Sequence, residues 1–507
     1  MSRYPLRAWL VRLVALCILA GPVSAQTAYP DMASEPDPTS FVKRTDTSLT
    51  LLGVPLRFGG ADLNWLGLRL DAGMPPRRPT TYEVTDALQT LRALGGTVVR
   101  SGTLAGTAGC DLCLEPTEGK YSPEAFAALD QSIKVAGDLG MRLILPLAGG
   151  TGDCAKGGEA GDAICAYLGW HGLTDRAAFF TDPAIRTALL ARVHALLTHI
   201  NSLTGIAYRD DPAILAWENC ESCGEGNDPA AVSAWTEALG QAIKAEDRFH
   251  LYENGAFAGR ISPKSAHPVG AAAFATPSVD IVGDHGLPPG DEATMIATLS
   301  AVTSVVKQAG RVYVLDGFDW GPRLFKTEAD LETYLTAIFQ ARDVAGALVQ
   351  GLQGHADRGG YLPPPAASAR DGTALYFPGR TTADVAQDDM VLRARALRRF
   401  EFDMADVTLA PAYLLTPKPE IISVKHGRVI WRGAAGAANY TIERSPDPSI
   451  PYSWTVVCDQ CATDAAGFWQ DPSPPGGTAW YRIMPFNING HKAVPSAPVA
   501  ASNDGKS

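Results

Sequence analysis

The chain has 507 residues, 46% of them hydrophobic and 19% charged, an ordinary globular composition that supports one large domain with a small one beside it. Its net charge is -11, and about -14 if the three arginines of the N-terminal segment are removed. That balance excludes nucleic acid as a partner and favours a neutral substrate.

The opening stretch, "MSRYPLRAWLVRLVALCILAGPVSA", places Arg3, Arg7 and Arg12 before an apolar run from Leu13 to Ala20, then ends on Val23-Ser24-Ala25. This pattern predicts a secretory signal over residues 1–25, cleaved after Ala25, and export to periplasm or medium. The run falls short of the roughly 18–20 residues needed to span a membrane, and no later segment is long and apolar enough. A polar leader, residues 26–49, follows.

Eight short apolar runs come next: "PLRFGGADLN", "GTVVR", "MRLILPL", "AILAW", "HLYENG", "VDIVGDHG", "RVYVLDGF" and "GALVQGLQG". Between them lie amphipathic segments such as "EVTDALQTLRALG" and "PEAFAALDQSIKVAGDLG", with apolar residues at helical spacing. Strands alternating with helices imply parallel pairing, and eight units predict a closed (β/α)8 TIM barrel over residues 50–402. A functional site then belongs at the C-terminal ends of the strands. After a Pro-rich linker, residues 403–417, the pattern changes to short alternating strands that predict an independent all-β sandwich over residues 418–502.

Of nine cysteines, Cys17 leaves with the signal. The others fall as Cys110/Cys113, Cys154/Cys165, Cys220/Cys223 and Cys458/Cys461, local spacings that suggest four disulfides in an exported chain. The rival reading of the CxxC pairs is a zinc or redox centre, but these pairs lie in widely separated loops. No cofactor is expected, and no ligand set for a metal stands out.

The runs "NWLGLR", "GGTVVRSGTLAGTAGCDLCLEP", "TDPAIRTALLARVHALLTHINSLTGIAYRDDPAILAWE", "VDIVGDHG", "RVYVLDGFDW" and "GLQGHADRGGYLPP" occur in this order from Leu52 to Phe402. Together they resemble glycoside hydrolase family 5 in its β-mannanase-like branch. The closing "YRIMPFNINGHKAVPSAPV", with Trp431 and Tyr440 upstream, looks like a fibronectin type III module. The family resemblance implies cleavage of β-1,4-linked polysaccharide with retention, by two carboxyl groups about 5–5.5 Å apart. It places the acid/base in a W-E-x-x-N-E run and the nucleophile in a V-G-E-F/Y-type run.

Without gaps, those two Glu positions fall on Ser222 and Gly317. Glu221 and Asp316 stand one residue upstream of each. Strand alternation should aim such displaced carboxylates away from the pocket, unless a bulge or a turn deletion restores them.

The resemblance also implies substrate contacts at Asn64, Trp65, Arg100, His285, Trp320, His355 and Asp357. Simpler roles are open: Trp65 as core, Arg100 as a carboxylate buttress, His355 with Asp357 as a loop pin. The sequence departs from the family at Gly102, Leu287 and Gln350, where the family has His, Tyr and a sugar-stacking Trp. Glu253, Asp284 and Asp319 are further acids near strand ends. Two functions are therefore expected in competition. One is a catalytically degenerate binder of β-linked polysaccharide or oligosaccharide, mannan or glucan. The other is an active endo-β-1,4-mannosidase-like or β-glucanase-like hydrolase using Glu221 and Asp316.

Overall fold

The computed structural model describes residues 37, 39–71, 73–150, 152–285, 292–364, 374–378, 387–407 and 418–502. The predicted signal, half of the leader, Leu287 and most of the linker lie outside the described residues.

Eight parallel strands close into a barrel: β1 (Phe58–Asp62), β2 (Val98–Arg100), β3 (Arg142–Pro146), β4 (Ile214–Glu218), β5 (Leu251–Asn254), β6 (Ile281–His285), β7 (Val312–Phe318) and β8 (Val344–Gln350). Each pairs with the next, and β8 returns to β1 in register from Gly346–Phe58 to Gln350–Asp62. All eight coincide with the predicted apolar runs. Side-chain alternation sends Phe58, Val98, Ile144, Ala216, Leu251, Ile281, Val312, Val314 and Leu348 into one buried cluster inside the barrel.

An antiparallel sheet of Lys43–Thr45, Ser48–Leu51 and Val54–Leu56 covers the N-terminal end, with Val42 and Leu49 joining that cluster. This sheet thus starts inside the predicted leader. The two tight turns at Asp46 and Leu52-Gly53, all at positive φ, fold this short segment back on itself.

The helices cap as their sequences dictate. Helix α1 (Thr81–Leu94) starts with a capping box between Thr80 and Glu83 and stops at left-handed Gly95. Its residues Val84, Ala87, Leu88, Leu91 and Leu94 are buried, at a spacing that lines one face. Burial of each such leucine stabilises the fold by about 1.5–3 kcal/mol. Helices α2 (Pro123–Asp138), α3 (Pro183–Thr198) and α4 (Pro229–Glu246) each carry Pro in the first turn behind a Ser122, Asp182 or Asp228 cap. Helices α5 (Glu292–Gln308), α6 (Glu328–Gln340) and α7 (Gln387–Met404) follow β6, β7 and β8. Among the described residues, the crossover after β5 carries only the 3-10 turn Ala271–Ala273.

Beyond the linker, β9 (Glu420–Lys425), β10 (Arg428–Arg432) and β13 (Trp469–Gln470) form a three-stranded sheet. Strands β11 (Ala437–Ser445), β12 (Thr455–Ala462), β14 (Trp480–Asn487) and β15 (Val499–Ala500) form a four-stranded one. Alternate residues Val429, Trp431, Tyr440, Ile442, Tyr481 and Ile483 are buried between them and belong to the same continuous core as the barrel's outer layer. The all-β module is therefore docked rather than independent, and Asp37–Ser507 is one compact unit.

Two of the predicted substrate residues make that docking. His355 is fully buried, with Nδ1 2.9 Å from Asp86 and Nε2 3.2 Å from Asp464 of the module. Asp464 also accepts from the Trp431 indole (2.9 Å) and the Tyr440 hydroxyl (2.6 Å). Asp357 pairs with Arg432 of the module at 2.7 Å. Both side chains are thus engaged in the seam between barrel and module.

The four predicted disulfides are all present: Cys110–Cys113, Cys154–Cys165, Cys220–Cys223 and Cys458–Cys461.

Candidate active site

The C-terminal mouth of the barrel gathers an unusual density of acids. Alternation along β1 (Phe58, Gly60, Asp62) turns Asp62 inward beside Arg100 at the end of β2. Glu218, Glu253, His285 and Asp316 point inward from β4, β5, β6 and β7. They fall in two groups. In the inner one, carboxylate oxygens of Glu218, Glu253 and Asp316 lie within 4.8 Å of one another. In the outer one, ligand atoms of Asp62, Glu221 and His285 lie within 4.8 Å of one another.

Arg100 joins the two groups. Fully buried, it donates to both oxygens of Glu218 at 2.7 and 2.9 Å. Its Nη1 lies 3.6 Å from Asp62 and its Nη2 3.5 Å from Glu221. A bidentate, charge-assisted pair of this kind fixes both partners. Arg100 therefore buttresses a carboxylate.

Burial decides the protonation of the inner acids. It raises Glu218, against the pull of Arg100. It pushes Glu253 up to about 7 and Asp316 well above the usual carboxylate range, with Glu253 adding to the effect on Asp316. The oxygens of Glu253 and Asp316 have no hydrogen-bond partner among the described residues, and one proton shared between the two neighbouring acids is the economical state.

In the outer group, burial raises Asp62 as well. Glu221 is lowered: burial works against its charge, and Arg100 beside it outweighs burial. The Glu221 side chain keeps 28% of its surface exposed, which makes it the accessible acid. Burial, then Arg100, lowers His285 to about 3, so its imidazole is neutral at ordinary pH.

The two displaced carboxylates thus face inward, contrary to the alternation argument. Pairing of β7 shifts between Leu315 and Gly317 toward β6, and between Leu315 and Phe318 toward β8. This irregularity turns both Asp316 and Gly317 toward the interior. On the other side, β4 ends at Glu218 and the chain enters the disulfide-closed turn Cys220–Cys223. There Ser222 adopts a left-handed φ of 49°, and its N–H donates to the Gly255 carbonyl at 3.0 Å. Glu221, one step earlier, leans into the space over Gly102, where a Cβ would stand 3.2 Å from its carboxylate.

Inward orientation does not make the two equivalent. Asp316 is wholly buried, grouped with Glu253 and Glu218 rather than with Glu221. A Cβ on Gly317 would fall on the Gln350 side-chain amide, so the room of the family's nucleophile is filled by Gln350.

Of the other predicted contacts, only Asn64 and His285 stay near the opening. Asn64 is exposed, its amide oxygen beside the same Gly102 position that Glu221 approaches. Trp65 is 3% exposed, with its indole donating to Leu352 and Arg69 stacked 4.6 Å from its ring. Trp320 is fully buried, its carbonyl held by Arg393. Both indoles belong to the buried core. Asp284 points outward: its oxygens take the Gly259 amide (2.7 Å) and the Tyr313 hydroxyl (3.3 Å), and burial pushes it up to about 7. Asp319 accepts from Gly321 and lies 3.7 Å from Arg323. The sequence reading missed Asp62, whose only signal was its place as the third inward residue of β1.

A parallel eight-stranded barrel with acids at the C-terminal ends of its strands defines a TIM barrel whose candidate site lies at the end where this fold carries its active sites. Residues 39–286 match the family model described as GH family 5 beta-mannosidase-like. The chain is 34% identical over 218 residues to mannan endo-1,4-beta-mannosidase 2 of Oryza sativa subsp. japonica, covering 42% of this chain and 47% of that one. It is 31% identical over 260 residues to mannan endo-1,4-beta-mannosidase 1 of the same plant, covering 50% and 58%. The chain thus spans about half the length of these curated relatives. An endo-beta-1,4-mannanase from Thermotoga petrophila shares the fold with a TM-score of 0.55 at 16% identity, over 89% of this chain and 98% of that one.

Proposed function

We propose that the protein is an exported β-glycan-recognising protein, with mannan as its first candidate ligand, whose barrel has lost retaining hydrolysis. One observation carries this reading: Gln350 occupies the space beside Gly317, while Asp316, the remaining acid of β7, is sealed with Glu253 and Glu218. Retaining cleavage needs an exposed anion on one side of the sugar and an acid on the other. Here the exposed anion is Glu221 alone, and Ser222 stands in the acid position. The names of the plant relatives support mannan over glucan as the ligand.

Four disulfides and the signal-like N-terminus support export, with cleavage after Ala25. The two small antiparallel sheets support a fibronectin type III-like role for residues 418–502 as a docking or spacing module. Oligosaccharide would meet Asn64, Glu221 and His285 at the rim.

A second reading, slow hydrolysis by Glu221 with a displaced partner, is favoured by the inward carboxylate of Glu221 and its ionised state. The deciding experiment measures reducing-end release and oligosaccharide binding on the mature chain, with mannohexaose and cellohexaose. Binding without turnover is the expected result. Robust turnover abolished by Glu221→Gln would refute the degenerate reading, and absence of both would remove the glycan altogether.

A further inference from the structure

The outer group has a composition that polysaccharide recognition does not require. Asp62 and Glu221 supply two carboxylates and His285 an imidazole, from β1, the turn after β4 and the end of β6, with their ligand atoms mutually within 4.8 Å. Two of these donors are orphans: Oδ1 of Asp62, a residue 9% exposed, and Nε2 of His285 are buried with no hydrogen-bond partner.

We infer that Asp62, Glu221 and His285 form a binding site for one divalent transition-metal ion of the zinc class. The set is the nitrogen-and-oxygen mixture such ions take, three protein ligands with a fourth position left for water or a sugar hydroxyl. Ligand atoms around a tetrahedral zinc stand about 3.3 Å apart, so small side-chain rotations close the present group onto an ion.

Arg100 makes its two short bonds to Glu218 and stands farther, at 3.6 and 3.5 Å, from Asp62 and Glu221. The outer trio offers two carboxyl groups and an imidazole, ligand types that a zinc-class ion takes. The inner trio does not offer the same. Both Glu218 oxygens are taken by Arg100. It also lies fully buried, whereas Glu221 reaches the opening. The absence of a side chain at Gly102 makes room for the Glu221 carboxylate.

The site stands whether or not the mouth takes a glycan. It is tested on the full chain with disulfides intact, stripped with chelator and titrated with zinc alone by calorimetry and elemental analysis. One zinc per chain is expected, with affinity reduced at least tenfold to a hundredfold in His285→Ala and in Asp62→Asn, as loss of one ligand from three requires. Asp316→Asn should bind as the parent does. In the unaltered chain, zinc should protect His285 from imidazole acylation, read by peptide mass, which keeps the test decisive if a variant does not fold. Failure to bind zinc at micromolar concentration, equal acylation with and without zinc, or uptake lost in Asp316→Asn but kept in His285→Ala would each overturn the assignment.

Discussion

Replacing His355 with Gln should remove a pH dependence from the whole fold. The imidazole lies between Asp86 and Asp464, bridging barrel and module at 2.9 and 3.2 Å. Burial opposes its charge, but the two carboxylates outweigh burial and carry it up to about 10, from an ordinary value of 6.5. The folded state therefore holds the proton more tightly than the unfolded one. The stabilisation is complete below about pH 6.5, declines as pH rises and is gone once pH passes about 10. A gap of about 3.5 pH units sets a ceiling near 5 kcal/mol, and between pH 7 and 9 the loss is about 2.7 kcal/mol. Urea midpoints of the full chain at pH 6, 7, 8 and 9, followed by tryptophan fluorescence, read this directly. His355→Gln should flatten that slope and lower stability at pH 6 by about 3–5 kcal/mol, since it leaves a buried carboxylate without its cation. An unchanged slope in the variant would refute the assignment of the docking proton to His355.

Asp316→Asn tests the inner acids. Their carboxyls are raised in the fold, Glu253 to about 7, so their contribution is best below pH 4.5 and is lost as pH rises through 7. The variant should gain about 2 kcal/mol at pH 8 and change little at pH 5 in thermal melts; a loss at pH 8 would count against the shared proton. Gly317→Glu alone should cost about 1–3 kcal/mol by overpacking onto Gln350, and Gln350→Ala added to it should recover most of that stability; equal melting of both variants would show the space is not contested. Trp65→Phe should lower stability by about 1 kcal/mol through loss of the bond to Leu352 while leaving any oligosaccharide affinity unchanged; a selective loss of affinity would return Trp65 to the binding surface.

The barrel was legible because each strand is an apolar run closed by a polar or glycine residue, and the helices between them keep one buried face. The disulfides were legible because each pair lies close along the chain. Direction was harder to read. Strand alternation along β7 suggested that Asp316 and Gly317 face opposite sides, and the pairing irregularity after Leu315 undid that inference. Trp65, Trp320, His355 and Asp357 all sit just past strand ends, where a sequence cannot say whether a loop rises over the mouth or turns down among the helices. His355 in particular needs partners 269 and 109 residues away. Asp62 went unnoticed because one acid at the end of a Gly-rich strand carries no pattern of its own; only closure of the barrel brings Glu221 and His285 to it.

The tight seam between barrel and module has a mechanical meaning. Backbone of Gly359 and Gly360 presses against the Trp431 and Asp464 carbonyls, and a Cβ on Gly433 would strike the His355 ring. Such contact without intervening side chains leaves the module no swing. A ligand bound to its outer surface would be held at one distance and one bearing from the barrel mouth. Two such contacts on one surface would then require a spacing that matches the chain's own, as the set jaws of a caliper do.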